Sequence, residues 1–328
     1  MKKKILIDLS ALKDPFCGLG QVALNYGKYF QEKSNITDLN YEITLLLPKK
    51  MFGFFGDKVK YISSTNLFLK HFKFLFPKFH IWHATHQLSR FMPIYDETKF
   101  LLTIHDLNYL YEKKGKRKMR KHGQLQFKIN RADEIVCISE FAKLEVEQHL
   151  NLQGKQCKVI YNGVELLDEL VAEEPKNIIK PFFFSVGVIQ KKKNFHVLLD
   201  MMKKMPEKHL YIAGKEISKP KNNGYAEMIK ARIRAESITN VTLLGAISHQ
   251  KKIWLFKNCE AFMFPSLFEG FGLPVIEAMQ FGKPVFSSTE TSLKEIGDKF
   301  AFFWENFDPQ QMKETVETNL ENFYKNED

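Results

Sequence analysis

Residues 264–288 read FPSLFEGFGLPVIEAMQFGKPVFSS and carry the clearest local pattern in the chain. An apolar strand ends at Phe264, a glycine-rich turn follows, and a helical pattern leads to a second apolar strand at 284–287. Glu269 and Glu277 flank the turn with seven residues between them. Such a turn presents backbone N–H groups at a helix N-terminus, which favours a diphosphate. The stretch therefore predicts an anion-binding strand–turn–helix unit, although two solvated acids are the alternative interpretation.

Strand and helix patterns alternate along the rest of the chain, in two series. Predicted strands of the first series are 4–10, 43–47, 81–82, 99–105, 134–139 and 158–161, and those of the second are 182–186, 210–213, 241–244, 261–264 and 284–287. A polar, acidic stretch with Pro175 and Pro181 separates the series. The pattern predicts an α/β protein with two doubly wound parallel-sheet domains, 1–172 and 173–328. Ligands of such sheets bind at the carboxyl ends of the strands.

Composition places the chain among globular proteins, with 44% hydrophobic and 27% charged residues. Its net charge of +11 favours an anionic partner. Its 4 cysteines form no CxxC pair, so neither a zinc site nor a disulfide framework is indicated. Cysteine usage of this kind favours a reducing cytoplasm. We expect no signal peptide at the basic start, because Asp8 interrupts the short apolar run, and no spanning helix, because no apolar run approaches ~20 residues.

The chain carries six motif segments, at 18–20, 103–107, 132–141, 159–164, 186–194 and 264–288. Their order and spacing resemble those of the retaining GT-B glycosyltransferases of the family 4-like, group 1 type. Together the segments extend across almost the whole chain, and their order is more specific than any one of them.

This resemblance implies the GT-B fold, two Rossmann-like domains facing across a cleft. The first domain would bind the acceptor and the second the nucleotide-sugar donor, with C-terminal helices packing back on the first. A hexose would pass from a GDP- or UDP-sugar to a glycan or lipid-linked acceptor in lipopolysaccharide, capsule or exopolysaccharide synthesis. Resemblance to mannosyltransferases of surface polysaccharide assembly favours mannose over glucose, galactose and GlcNAc.

The family's mechanism would be a front-face transfer with retention, in which the leaving phosphate oxygen accepts the proton of the acceptor hydroxyl. The chain contains no Asp-x-Asp triplet. Lysines and the helix macrodipole would then replace a metal ion, so neither a metal nor another cofactor is expected.

The resemblance also assigns roles to individual residues. Glu269 would hold hydroxyls of the donor sugar, and His105 would face the reacting sugar from the first domain. Lys193, with Lys192, would neutralise the leaving diphosphate, although Lys lacks the bidentate fork of the Arg that the family usually has at 192. Glu277 would bind the two ribose hydroxyls. The other donor-side predictions are Gly18 and Gly20, which are expected in a loop between the first strand and a helix that begins near Val22, and also Gly270, Phe271, Gly272 and Leu273. The acceptor-side predictions are His83, His86 and Asp106.

Two basic stretches stand apart from these motifs, 112–122 and the aromatic-rich 66–79. Lysines beside exposed aromatic residues suit an anionic bilayer surface, which predicts peripheral contact with the inner face of the plasma membrane. A solvated face for the first stretch and ordinary core for the second are the alternatives. No nucleic-acid-binding motif surrounds them, so nucleic acid is not expected.

The sequence also bears on three functions other than that of a transferase. Gly18, Gly20 and Ala23 match part of a dinucleotide fingerprint, but they lie too far from the preceding strand for an oxidoreductase. A GT-B protein with an epimerase-like role remains an alternative, because fold alone does not decide function. A non-catalytic carbohydrate-binding subunit is a further alternative, against which the intact Glu269 and Glu277 pair argues.

Overall fold

The computed structural model of the chain describes residues 2–15, 17–34, 40–66, 74, 76–167, 170–217 and 224–325. The chain divides into two compact units, Met1–Gly163 and Val164–Asp328. In the described residues no helix combines the length and apolar character that crossing a membrane requires.

The first unit is built on a parallel sheet whose seven described strands have the order β3-β2-β1-β4-β5-β6-β7. The strands are β1 (Lys3–Asp8), β2 (Tyr41–Leu47), β3 (Lys60–Ser63), β4 (Ile81–Ala84), β5 (Lys99–Ile104), β6 (Glu134–Cys137) and β7 (Cys157–Val159). The helices are α1 (Gly18–Ser34), α2 (Tyr109–Glu112), α3 (Gly115–Arg131) and α4 (Glu140–His149), with 3-10 turns at Ser10–Lys13 and Lys49–Met51.

Helices cover both faces of this sheet, because successive strand residues point to opposite sides. Leu6 packs in a core with Ile129 of α3 and Val146 of α4. Its neighbour Ile7 packs on the other face in a core with Ala23 of α1. This two-sided burial explains why the strands are apolar throughout instead of alternating.

The second unit repeats the arrangement with six described parallel strands in the order β10-β9-β8-β11-β12-β13. The strands are β8 (Phe182–Val186), β9 (His209–Ala213), β10 (Val241–Gly245), β11 (Ala261–Phe264), β12 (Val285–Ser288) and β13 (Ala301–Trp304). The helices are α5 (Phe195–Met202), α6 (Tyr225–Ala235), α7 (His249–Asn258), α8 (Leu273–Met279), α9 (Leu293–Gly297) and α10 (Pro309–Lys325), with 3-10 turns at Lys191–Lys193 and Asp298–Phe300.

The sheet of the second unit is also buried on both faces. Phe183 packs on one face of β8, and Phe182 and Phe184 pack on the other. The last helix, α10, contributes Met312 and Val316 to the core that holds Phe183. The C-terminal helix therefore buries its apolar side in the second unit.

The structure confirms one predicted helix cap and contains elements that the sequence did not predict. Ser139 caps α4 as predicted, since its hydroxyl accepts a hydrogen bond from the N–H of Ala142 at 3.0 Å. The sequence did not predict β3, β13 or α3. In α3 the basic residues hide the helical spacing of the buried Leu125 and Ile129.

Each sheet contains a point where the strand order reverses, between β1 and β4 in the first unit and between β8 and β11 in the second. In open α/β sheets this point leaves a crevice at the carboxyl ends of the two strands, where ligands bind. We therefore expect ligand-binding residues in the segments that follow these four strands.

Candidate functional site

In the second unit, the segments that follow β8 and β11 meet at the reversal point. The backbone N–H of Leu267 donates to the carbonyl oxygen of Lys192 at 2.7 Å. The hydroxyl of Ser266 lies 3.2 Å from the same oxygen. These contacts fix the 3-10 turn Lys191–Lys193 against the segment that carries Glu269.

Lys193 and Glu269 are brought into direct contact there. The ammonium of Lys193 donates to Oε1 of Glu269, and the Ser266 hydroxyl donates to the same oxygen at 2.6 Å. The ammonium also lies 4.8 Å from the centre of the Phe264 ring. The side chains of Lys193 and Glu269 are 11% and 15% exposed. The site thus holds a cation and a carboxylate, both largely shielded from water.

The backbone of Glu269 is held on both sides. Its N–H donates to Oγ1 of Thr291 at 3.0 Å, and its carbonyl oxygen accepts from the hydroxyl of Ser292 at 2.9 Å. These hydroxyls lie in the segment after β12 and fix the carboxylate's position. Sequence reasoning missed both, because only the fold brings that segment to the site.

The glycine-rich turn after Glu269 leads into α8, as predicted. Gly272 has φ +100° and precedes the first residue of that helix. A Cβ there would lie 2.7 Å from Cδ2 of Leu293. The backbone angle therefore favours glycine at 272, and a larger residue would also displace the Leu293 side chain. Phe271 is buried, and Gly270 and Leu273 are half-buried.

Glu277 lies on α8 and is paired with Lys252 of α7. Nζ of Lys252 is 2.7 Å from Oε1 of Glu277, and the two side chains are 17% and 15% exposed. The sequence did not predict this partner, since 25 positions separate the two residues. A ligand hydroxyl that reaches Glu277 would therefore share the carboxylate with an ammonium group.

In the first unit, the buried Asp8 organises the reversal point. Its carboxylate accepts from the N–H of Ser10 at 2.8 Å and from the hydroxyl of Ser89. Its carbonyl oxygen accepts from Oγ1 of Thr85 at 2.5 Å. The segments that follow β1 and β4 are thereby joined.

Three predicted histidines lie beside this network. Nε2 of His105 lies 2.8 Å from the carbonyl oxygen of Thr85, so this nitrogen carries the proton. Burial lowers the pKa of His105 to about 4 and that of His83 to about 4. Burial also lowers the pKa of His86. All three imidazoles are therefore neutral at pH 7.

Within the described residues, Nδ1 of His86 is buried without a hydrogen-bond partner. Its Nε2 lies 3.3 Å from the Ser10 hydroxyl. A buried unpaired nitrogen is costly, and such atoms often mark places where a ligand or water binds. The acceptor-side role of His86 nevertheless stays a prediction.

Family models match nearly the whole chain. The description "Glycosyl transferases group 1" applies to residues 168–328. The description "Glycosyltransferase Family 4" applies to residues 31–166. Their order agrees with the two units of the structure.

This chain belongs to the group 1, family 4-like glycosyltransferases.

Relatives of this glycosyltransferase family member include enzymes of O-antigen synthesis. The O-antigen chain mannosyltransferase RfbU of Salmonella typhimurium is 26% identical over 191 residues, which are 57% of this chain and 51% of the relative. The serotype-specific mannosyltransferase WbdA of Escherichia coli is 29% identical over 211 residues, 60% of this chain and 26% of the relative. The match thus spans about half of one relative and a quarter of the other.

Solved structures confirm the fold. Sucrose-phosphate synthase from Thermosynechococcus elongatus has a TM-score of 0.74 at 16% identity, covering 98% of this chain and 91% of that one. Anabaena HepE in complex with UDP and glucose has a TM-score of 0.71 at 16% identity, with the same coverage of both chains. The predicted GT-B fold class, with two Rossmann-like domains, is confirmed.

One local prediction about this glycosyltransferase family member is wrong. Gly18 and Gly20 were expected in a loop, but helix α1 begins at Gly18. A Cβ on Gly20 would lie 2.1 Å from the carbonyl oxygen of Asp14, whereas one on Gly18 would meet nothing within 4 Å. Close packing against the preceding segment therefore explains Gly20, and the donor-side role of both glycines stays a prediction.

Gln87 and Lys128 also belong to the site of the first unit, although the sequence did not predict them. Oε1 of Gln87 accepts from the N–H of His105 at 3.1 Å, and its Nε2 donates to the carbonyl oxygen of Asp106 at 2.8 Å. The buried ammonium of Lys128 donates to the carbonyl oxygens of Gln87, at 2.6 Å, and Ser89. Neither residue carries a signal in the sequence, since Gln87 stands outside any motif and Lys128 lies beyond the basic stretch 112–122.

The structure describes the first of the two basic stretches, 112–122, but little of the second, 66–79. Much of the first, 112–122, lies on α3, and its membrane contact stays a prediction. Most of the second, 66–79, lies outside the described residues. Among the side chains that the structure describes, no group of three or more His, Cys, Asp and Glu residues is arranged to hold a metal ion.

Proposed function

We propose that this chain is a retaining glycosyltransferase that moves a hexose from a nucleotide-sugar donor to a glycan or glycolipid acceptor in surface polysaccharide synthesis. The observation that carries the proposal is the contact between Lys193 and Glu269 at the reversal point of the second sheet. Family membership and the O-antigen mannosyltransferases among the relatives support it.

The chemistry of the pair suits a nucleotide sugar. A carboxylate accepts hydrogen bonds from sugar hydroxyls, and a shielded ammonium neutralises charge that grows on a departing diphosphate. The donor would separate the two groups, so that Lys193 faces the phosphates and Glu269 the sugar. Lys192 would add a second positive charge. The carboxylate of Glu277 would accept hydrogen bonds from the ribose hydroxyls while it remains paired with the ammonium of Lys252. Backbone N–H groups of 271–273 would complete the cradle.

The proposed reaction is a front-face substitution. The bond from the anomeric carbon to the diphosphate breaks, and the bond to the acceptor oxygen forms on the same face of the sugar. The leaving phosphate oxygen accepts the acceptor's proton, so no enzyme nucleophile is needed. We propose that lysines supply the positive charge in place of a metal ion. His105, neutral at pH 7, would contact the sugar as an uncharged imidazole.

We propose mannose as the transferred sugar, since RfbU and WbdA are named mannosyltransferases. GDP-mannose is then the first donor to test, followed by UDP-hexoses. His83, His86 and Asp106 are proposed to line the acceptor side. Exposed basic residues of α3 are proposed to hold the protein at an anionic membrane, where lipid-linked acceptors lie.

The test is donor turnover with GDP-mannose, UDP-glucose, UDP-galactose and UDP-GlcNAc, measured as nucleotide release with and without a total glycolipid extract as acceptor. We expect extract-dependent release with one donor. Glu269→Gln should reduce it at least a hundredfold, since contacts made in the transition state contribute on this scale. Equal turnover by the wild-type protein and Glu269→Gln, or no turnover of any donor, would contradict the proposal.

A further inference from the structure

A recess of about 700 Å³ lies in the first unit. One wall is formed by residues 87–90 and 92, which follow β4, and the other by α3 together with Tyr109. The lining residues that matter here are Leu88, Arg90, Arg120, Lys121, Phe127 and Lys128.

The walls of the recess are positively charged. Arg90, Arg120 and Lys121 line it, and none of the described residues along it is acidic. Across the described part of the chain, no ion pair joins any of these three cations to a carboxylate. Burial lowers the pKa of Lys121, and the nearby charges of Arg120 and Arg90 lower it further. An anion in the recess would relieve this mutual repulsion.

Lys128 gives the recess a defined shape. Its buried ammonium donates to the carbonyl oxygens of Gln87 and Ser89 and so fixes the segment after β4 against α3. The wall that carries Arg90 is therefore held in place, while the charge of Lys128 adds to the positive potential.

Apolar surface adjoins the cations. Phe127 is 63% exposed and Leu88 is 49% exposed. A volume of about 700 Å³ exceeds what one phosphate group fills. The recess therefore suits an anionic group attached to a larger, partly apolar molecule.

We propose that this recess binds the phosphate or diphosphate group of the acceptor, so that the acceptor is a phosphate-linked glycan or lipid. The inference rests on the proposed transferase function. Arginine forms paired hydrogen bonds with phosphate oxygens, and lysine adds charge. A flat membrane surface would engage projecting side chains instead, and α3 carries such residues outside the recess.

Two matched variants separate the recess from general positive charge. Arg90→Gln/Arg120→Gln/Lys121→Gln removes three charges from its walls. Lys114→Gln/Lys116→Gln/Arg117→Gln removes three charges from exposed residues that do not line it. Circular dichroism and thermal melts of the full chain verify that each triple variant folds. The probes are geranyl diphosphate, geraniol and inorganic pyrophosphate in titration calorimetry, and vesicles with and without phosphatidylglycerol in co-sedimentation.

We expect the recess triple to weaken geranyl diphosphate and pyrophosphate binding at least tenfold, the scale of losing one charge-assisted hydrogen bond. The exposed triple should stay within about twofold. Any binding at the donor side is common to both triples and cancels in their comparison. Geraniol should bind the wild-type protein at least tenfold more weakly than geranyl diphosphate.

Equal loss of diphosphate binding in both triples, or none in the recess triple, would overturn the proposal. So would a recess triple that loses only binding to phosphatidylglycerol vesicles, because the recess would then be a membrane contact. Absence of nucleotide-sugar turnover would instead remove the transferase function, and a diphosphate site confirmed by calorimetry would stand without it.

Discussion

The ammonium of Lys193 contacts Oε1 of Glu269 across 76 positions of the chain, at the point where the second sheet reverses its strand order. Their side chains are only 11% and 15% exposed. If one partner is removed, water cannot fully solvate the charge of the other.

We therefore predict coupled stability effects at this pair. Lys193→Met should destabilise the second unit by about 2 kcal/mol, because it leaves a shielded carboxylate without its cation. Adding Glu269→Gln should recover part of that loss. The measurement is a double-mutant cycle from urea unfolding, and purely additive effects would show that the two groups do not interact in solution.

The pairing of Glu277 with Lys252 leads to a prediction about donor affinity. Glu277→Gln should weaken binding of the donor nucleotide about tenfold or more, since an uncharged amide is a poorer acceptor for ribose hydroxyls. The matched control, Lys252→Gln, keeps the carboxylate and should change the affinity less than threefold. If Lys252→Gln weakens binding as much as Glu277→Gln, the ion pair and not the ribose contact sets the affinity.

Two glycines at the start of α1, Gly18 and Gly20, allow the same substitution to be compared at an open and at a closely packed position. Gly20→Ala should lower stability by about 1–3 kcal/mol, because its Cβ would overlap the backbone of Asp14. Gly18→Ala has open space and should be nearly neutral for stability. If Gly18 faces the donor, Gly18→Ala should still raise the donor KM in steady-state assays. An unchanged KM would remove Gly18 from the donor site.

The buried histidines predict a pH dependence of folding. With their pKa lowered to about 4 from an ordinary 6.5, His83 and His105 bind fewer protons folded than unfolded. Their contribution to stability is complete above pH 6.5 and is lost as the pH falls toward 4. Between pH 7.5 and 5 we expect a loss on the order of 1–2 kcal/mol per histidine.

Tryptophan fluorescence isolates this effect in the first unit. Trp82 is its only tryptophan, so a Trp254→Phe/Trp304→Phe background reports the first unit alone. Urea unfolding at several pH values should give a flatter profile for His83→Gln/His105→Gln than for the background protein. An unchanged slope would mean that these imidazoles titrate normally in the folded state.

The sequence predicted the two series of strands well, because each strand is buried on both faces and therefore reads as an uninterrupted apolar run. Phe182–Val186 is the clearest example. Among the described strands, β3 pairs only with β2, and its residues are half-buried or exposed. It carries no such run and was missed.

The candidate site was predicted only as far as its local motifs extend. Glu269, Gly272 and Glu277 share one strand–turn–helix segment, so sequence spacing alone relates them. Lys252 reaches Glu277 only through packing of α7 against α8. Gln87 likewise contacts His105 only because β4 and β5 are neighbours in the sheet. Contacts of this kind depend on tertiary structure and leave no pattern in the sequence.

The most direct test of the central claim, that Lys193 and Glu269 mark a nucleotide-sugar site, is a thermal-shift panel of UDP, GDP, ADP and CMP with EDTA present. One nucleotide should stabilise the wild-type protein by about 2.7 kcal/mol at a hundred times its dissociation constant. That shift should be lost in Lys193→Met and kept in Lys257→Met, a surface lysine of α7. No shift with any nucleotide at millimolar concentration, or the same shift in both variants, would contradict the claim.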